Sequence, residues 1–377
     1  MITRLLENII NEKTGKGKAI IIMGARQVGK TTLLKKLFGN NPDVLWLNGD
    51  EKDTQDIIQN SSSTRLKAYF GNKTTVIIDE AQRIQDIGIR MKLITDQIPN
   101  VQLVATGSSA FELANQLNEP LTGRKWEYKM YPLSFQEMVL HLGFLEEKRM
   151  LPNRLVYGYY PDVVKHAGEE KEILKQLTES YLYKDVLWLE QIKKPEGLIK
   201  LLQALAYQVG SQVSYNELAT TTGLDFKTIE KYIAILEQTY VIFKLGSLSR
   251  NLRSELKKSR KIYFYDNGIR NTLISNLNPI EKRADVGALW ENYLVSERMK
   301  LNEYHKRWPN CWYWRTKEQK EIDYVEEKDG AIQTFEFKWN PASKHKNPSQ
   351  FLNAYPGSTF QVIHPENMEE FLLGNVY

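Results

Sequence analysis

Residues 24 to 32 read Gly24-Ala25-Arg26-Gln27-Val28-Gly29-Lys30-Thr31-Thr32: glycine, four residues, glycine, lysine and a hydroxyl residue. A loop of this kind turns backbone N–H groups toward phosphate oxygens at a helix N-terminus. Lys30 would reach the β- and γ-phosphates of bound ATP, and Thr31 would ligate the accompanying Mg²⁺. The alternative, a glycine-lysine turn that merely opens a helix, fits poorly with the apolar run before it and the helical periodicity after it. Further on, Val76-Ile77-Ile78 leads into Asp79 and Glu80. A buried strand would carry Asp79 to the Mg²⁺ shell, and Glu80 would orient and polarise the attacking water.

Two further stretches bear on the same chemistry. Thr106-Gly107-Ser108-Ser109 closes an apolar run. Ser108, with Ser109 next, is the candidate polar contact to the γ-phosphate; the alternative is a helix N-cap, which serine also favours. Arg124 in Leu121-Thr122-Gly123-Arg124 is a candidate for neutralising transition-state charge, in its own chain or in a neighbouring subunit, against a merely solvated arginine. Arg26 and Arg83 are weaker candidates of that kind.

A second constellation lies near the C-terminus. Asp323 is followed by Glu336-Phe337-Lys338, and adjacent strands would bring the two carboxylates together, with Lys338 on the face of Glu336. Asp323 and Glu336, completed by Glu291 from a preceding helix, would hold a second Mg²⁺ or Mn²⁺, with Lys338 beside the attacked phosphate. The alternatives are charge alternating along a half-exposed strand and a nuclease fold whose catalysis is weak or lost. Trp308, Trp312, Tyr313 and Trp314 beside Arg315 and Lys317 could stack bases; at alternate spacing they read better as core.

Between these sites, Ser214-Tyr215-Asn216-Glu217 has the form of a capping box. Thr222-Gly223-Leu224 makes a turn, and Phe226, Ile229, Ile233 and Leu236 repeat at helical spacing. Two short helices across a glycine turn form a helix-turn-helix. Its second helix would present Lys227, Thr228, Lys231 and Tyr232 outward. A following hairpin, bearing Arg250, Arg253, Lys257, Lys258, Arg260 and Lys261, would make it a winged helix suited to DNA phosphates. The alternative is a lid that touches no DNA.

The elements that position these residues alternate between strand and helix. Strands are expected at Lys18 to Met23, 44 to 48, 75 to 79 and 101 to 106, which predicts a parallel sheet covered on both faces. Helices dominate 151 to 200. The last segment reads as a helix at 287 to 302, strands at 311 to 315, 321 to 327 and 331 to 338, a helix near 348 to 354 and a strand at 359 to 363. The expected fold is thus α/β and multidomain: a P-loop NTPase core over 1–150, a helical linker or lid over 151–200, a winged helix over 201–278 and a small α/β domain over 279–377. A length of 377 residues with 42% hydrophobic and 26% charged residues supports several cores. No apolar run approaches a membrane span, the single Cys311 excludes an internal disulfide framework, and a net charge of +5 leaves the distribution of charge to decide about nucleic acid.

The phosphate loop, Asp79-Glu80-Ala81-Gln82, Thr106-Gly107-Ser108-Ser109, and Leu121-Thr122-Gly123-Arg124 with Tyr131-Pro132-Leu133-Ser134-Phe135 together resemble the AAA+-type ATP-binding protein family of bacteria and archaea. In that family the ATPase core precedes a C-terminal domain of unknown function. The resemblance implies a cytoplasmic ATPase that assembles into a ring or smaller homo-oligomer, with no membrane partner. The family's Gly-Gly-Tyr-Pro stretch stands here as Tyr157-Gly158-Tyr159-Tyr160-Pro161. The Asp323 to Lys338 arrangement resembles the PD-(D/E)XK nuclease superfamily. The resulting expectation is an ATPase that engages or processes DNA; the competing one is a nucleotide-switched signalling or scaffold protein with an inactive C-terminal domain.

Overall fold

Ala19–Met23 is buried at every position and Thr75–Asp79 at all but its last, as strands covered on both faces must be. The structure is a computed structural model that describes residues 1–108, 121–179, 195–248, 260–316, 318–344 and 347–374. Its chain divides into two units, Met1–Pro132 with Gln238–Tyr240, and Leu133–Glu237 with Val241–Tyr377.

In the first unit, β1 (Ala19–Met23), β2 (Val44–Asn48), β3 (Thr75–Asp79), β4 (Gln102–Gly107) and β5 (Lys125–Lys129) form one sheet in the order β2-β3-β4-β1-β5. Every pairing in it is parallel. The strands lie within a residue or two of their expected positions. Parallel strands need crossovers, and the helices Lys30–Phe38, Lys52–Asn60, Ser63–Phe70 and Ile87–Gln97 supply them. Because all strands run the same way, their C-terminal ends share one edge, where such sheets bind ligands.

In the second unit, β6 (Gln212–Val213), β7 (Ile242–Ser247), β8 (Arg260–Phe264), β9 (Asn310–Arg315), β10 (Glu321–Lys328), β11 (Ala331–Phe337) and β12 (Thr359–Ile363) form one sheet, ordered β12-β11-β10-β9-β7-β8-β6. The two expected helices are present as Tyr215–Thr222 and Phe226–Gln238. The strand pair after them belongs to a larger sheet. β7 pairs in parallel with β9, Gly246 opposite Trp312, so the segments before and after residue 278 share one sheet. The long helix Val286–Tyr304 is buried nearly all round and packs against β8 and β11. Among the tryptophans, Trp312 and Trp314 pack on Ile322, Val325 and Phe351, whereas Trp308 is exposed. No helix among the described residues is long and apolar enough to cross a membrane.

Candidate functional site

The phosphate loop leaves the C-terminal end of β1 and enters the helix Lys30–Phe38, whose first turn carries no acidic residue and whose N-cap, Gly29, has φ 97°. Its amide dipoles therefore face the loop uncompensated, a setting for anions. Gly24 must be glycine: a Cβ there would lie 2.0 Å from the Met130 carbonyl oxygen, which closes over the loop. Lys30 is buried, and its ammonium donates to the carbonyls of Gly24 at 2.9 Å and Ala25 at 2.8 Å. Arg26 and Gln27 lie at the outer turn, Gln27 with φ 60°, while Ala25 and Val28 are buried and Thr32 is exposed. A residue outside the motif braces it. The buried Arg4 guanidinium donates to the carbonyls of Val28 and Tyr131, both at 2.7 Å.

The strand order places β4 between β1 and β3, so three strand ends meet. Thr31 Oγ1 donates to Asp79 Oδ2 at 2.8 Å, which joins the loop to β3 as expected. The other carboxylate oxygen accepts from the Thr106 hydroxyl, and that hydroxyl accepts from the Glu80 backbone N–H at 3.1 Å. One side chain on β4 thus fixes both acidic residues. Glu80 takes a left-handed conformation, φ 51° and ψ 43°, a strain that active-site turns often carry. Gly49 permits it, because a Cβ there would meet the Glu80 carbonyl oxygen at 2.3 Å. Gln82 Nε2 donates to Glu80 Oε2 at 2.5 Å and to Ser108 Oγ at 2.9 Å, while its buried Oε1 has no partner among the described residues. Ser108 thus belongs to this cluster through Gln82; Ser109 lies outside the described residues. Thr106 and Gln82 carry no role in the sequence reading, although both stand in the quoted runs. A hydroxyl oxygen and a carboxylate oxygen side by side are hard ligands of the kind Mg²⁺ takes, so these residues fit the metal.

Arg124 is not at this site. β5 pairs with β1 so that Ala19 is opposite Lys125, and the Ala19 N–H donates to the Arg124 carbonyl at 2.9 Å. The arginine sits at the opposite end of the sheet, about 15 Å from the loop at the rise of a strand. There its Nε donates to Asp96 Oδ1 at 2.6 Å. It does not reach a γ-phosphate in its own chain. Arg83 is likewise engaged, 3.3 Å from Asp50.

In the second unit, Asp323 and Glu336 follow directly from the register that pairs Tyr324 with Phe335, so the two carboxylates are neighbours across β10 and β11. Glu291 comes from the helix Val286–Tyr304. The expected cation cage does not form: among the described residues no group of three or more His, Cys, Asp or Glu side chains is placed to hold a metal ion. The ammonium of Lys261 engages two of the three expected ligands, 2.8 Å from Glu291 and 4.0 Å from Asp323, together with Glu321 at 2.6 Å. Tyr263 donates to Glu291 at 2.7 Å, and Lys338 is paired with Glu336 at 2.7 Å. Asp323 Oδ2 accepts from the Phe337 N–H at 2.8 Å. Burial, then Glu291 and Glu336, push the Asp323 carboxyl well above the usual carboxylate range. Burial pulls Lys261 down, but Glu291, Asp323 and Glu321 outweigh it and hold the ammonium above its ordinary value. The residues present do not fit a catalytic cation here.

On the helix Phe226–Gln238, Lys227 and Lys231 are exposed. Thr228 is engaged at the helix start, where Asp225 caps by accepting from the Thr228 N–H at 3.0 Å and from its hydroxyl at 2.6 Å. Tyr232 is buried, contrary to its expected outward position, because it falls on the core stripe with Ile229, Ile233 and Leu236. Arg260 opens β8. Arg250, Arg253, Lys257 and Lys258 lie outside the described residues.

Comparison with known proteins agrees with the first unit. Residues 16–139 match a family described as an AAA domain. Residues 148–280 and 286–374 match two domains of unknown function, DUF8612 and DUF4143. A Haemophilus influenzae protein described as uncharacterized is 28% identical over 308 residues, 74% of this chain and 74% of its own length. A Mycobacterium tuberculosis protein, also described as uncharacterized, is 25% identical over 332 residues, 86% of this chain and 70% of its own. A Walker-type ATPase of Pyrococcus abyssi superposes with a TM-score of 0.51 at 16% identity, covering 72% of this chain and 96% of that one; it shares the fold. By its sheet, its phosphate loop and this match, the first unit is a P-loop NTPase domain similar to the AAA domain family.

Proposed function

We propose that this chain is a Mg²⁺-dependent ATPase that couples ATP hydrolysis in its first unit to DNA engagement by its second. The observation that carries the enzymatic half is the Thr31–Asp79–Thr106–Glu80 linkage, in which metal-binding and water-activating groups are held by one another. Lys30 would exchange its contacts with the loop carbonyls for the β- and γ-phosphates, and the loop N–H groups would cradle them. When bound, Mg²⁺ supplies charge neutralisation between those phosphates; Thr31 and Asp79 are the residues that would hold it. Glu80 would accept a hydrogen bond from the attacking water, and Gln82, already on Glu80 and Ser108, would offer Oε1 to the same water.

The order helix, strand, two helices, two strands across Pro195–Phe264 supports reading the middle of the chain as a winged helix. The exposed Lys227 and Lys231, with Arg250, Arg253, Lys257, Lys258 and Arg260 in sequence, support DNA phosphates as its partner. Self-association belongs to this reading through the family resemblance alone, since Arg124 is paired with Asp96.

The test of the enzymatic half is ATP turnover and nucleotide binding in Glu80→Gln and Lys30→Ala. Glu80→Gln should retain ATP and lose hydrolysis, and Lys30→Ala should lose both; a Glu80→Gln chain that hydrolyses at the wild-type rate refutes the assignment. A second reading, a nucleotide-switched protein whose second unit holds a protein partner, is favoured by the lysine-filled carboxylate cluster. DNA affinity that falls steeply with salt separates the two.

A further inference from the structure

Four carboxylates meet on one side of the second sheet, and each already has a partner. Glu291 is held by Lys261 and Tyr263, Glu321 by Lys261 and Arg315, Glu336 by Lys338, and Asp323 by the Phe337 amide. Lys261 rises from β8 across the Tyr313 ring, 5.5 Å from its centroid, and ends among carboxylates of two other elements with only 1% of its side chain exposed. We propose that Lys261 is a built-in counter-cation, which makes this nuclease-like arrangement a metal-free structural site.

A divalent metal needs several oxygens converging at about 2.0–2.6 Å on one point. Here the Nζ atom occupies the point of convergence of Glu291 and Glu321, with Asp323 at 4.0 Å. A second, divalent charge beside a buried ammonium would be repelled in a low-dielectric setting. A buried ammonium is itself tolerated only when paired and hydrogen-bonded, and this one is. The carboxylates therefore serve Lys261, which ties β8 to β10 and to the helix Val286–Tyr304 across two intervening strands. The inference deepens the DNA-engaging reading of this unit by removing cleavage from it, and it stands on the cluster's geometry alone.

The experiment is Mn²⁺ titration followed by electron paramagnetic resonance on the full chain carrying Asp79→Asn, which silences the first unit's metal site. That protein should show no Mn²⁺ binding that a further Asp323→Asn removes. Adding Lys261→Met to Asp79→Asn should create one site, roughly tenfold tighter or more than any in the parent, as expected when a ligand set is freed, and Asp323→Asn should abolish it. The proposal is overturned if the Asp79→Asn chain already binds one Mn²⁺ through Asp323, or if the folded Lys261→Met variant binds no better. Should Lys261→Met fail to fold, the comparison of Asp79→Asn with and without Asp323→Asn decides by itself. DNA affinity of the Asp79→Asn chain, measured without metal, is a separate readout: its absence would refute DNA engagement and leave this inference standing.

Discussion

Thr106 shows how much a single hydroxyl can organise. It donates to Asp79, accepts from the Glu80 amide and is fully buried, so neither bond competes with solvent. Its place follows from register: Ile78 pairs with Ala105, and the next step brings Asp79 level with Thr106. Sequence showed a hydroxyl-rich strand end but not that register, which is why Ser108 stood out in its stead. Thr106→Val keeps the shape and removes both hydrogen bonds. It should lower kcat by about 10–100-fold with little change in the KM for ATP, since what it disturbs are the metal-binding and water-activating carboxylates and not the phosphate cradle. Steady-state kinetics decide this, and a change confined to KM would assign Thr106 to binding. Arg4 should behave in the opposite way. Its two bonds hold the loop at Val28 and Tyr131 and do not touch Glu80. Arg4→Met should raise the KM for ATP by about tenfold or more, since a single charged hydrogen bond is worth about 1.5–3 kcal/mol, and leave kcat near wild type. Nucleotide titration monitors that loss.

At the scale of the element, the periodic and capped segments were the legible ones. The phosphate loop announced its strand and helix, and the apolar runs announced β1 to β4, because continuous burial leaves a continuous apolar signature. Ser214 is the N-cap of its helix, as its sequence context implies, but without the reciprocal half of the box. At Ser214 the serine accepts from Glu217 at a long 3.4 Å. A full reciprocal box forms instead at Ser134, which accepts from the Glu137 N–H at 3.1 Å while Glu137 accepts from the Ser134 N–H at 3.0 Å, with Glu137 wholly buried. Both stretches satisfy the sequence pattern; burial, which the pattern does not encode, separates them. Ser134→Ala should therefore cost about 2 kcal/mol of stability and Ser214→Ala about 0.5 kcal/mol, the two ends of the range for N-caps. Chemical denaturation of the two variants checks the ranking, and equal losses would contradict it.

At the scale of the whole molecule, what sequence could not show were contacts between distant segments. Nothing local predicts that β7 lies beside β9, or that Lys261 reaches carboxylates on β10 and on the helix Val286–Tyr304. The same is true of a buried network in the second unit. There Glu147 pairs with Arg154 at 2.9 Å and accepts from Tyr159, whose hydroxyl lies 3.2 Å from that of Tyr293. One turn on, Glu297 pairs with Lys300 at 2.6 Å and accepts from the Phe135 N–H at 2.7 Å. Charges this deep make stability depend on pH, and the sign can be worked out. Burial raises the carboxyls of Glu297 and Asp266 in spite of their donors. A carboxyl raised in the folded state binds more protons there than in the unfolded chain. Its contribution is complete below the unfolded pKa of about 4 and is lost as pH rises through the folded value, at up to about 1.4 kcal/mol per pH unit. His305 has the opposite sign, because its burial, with Arg307 nearby, lowers it, and its contribution is lost as pH falls below about 6.5. The two effects separate by comparison. Glu297→Gln cannot titrate at that position, whereas His305 is unchanged in it. The wild-type chain should therefore lose more stability than Glu297→Gln between pH 5 and 8, whatever the absolute penalty of leaving Lys300 without its carboxylate. Denaturation midpoints across that window, read as slopes and not as single values, are the measurement. Parallel slopes would mean that Glu297 enters the folded state already ionised, held so by Lys300 and the Phe135 amide.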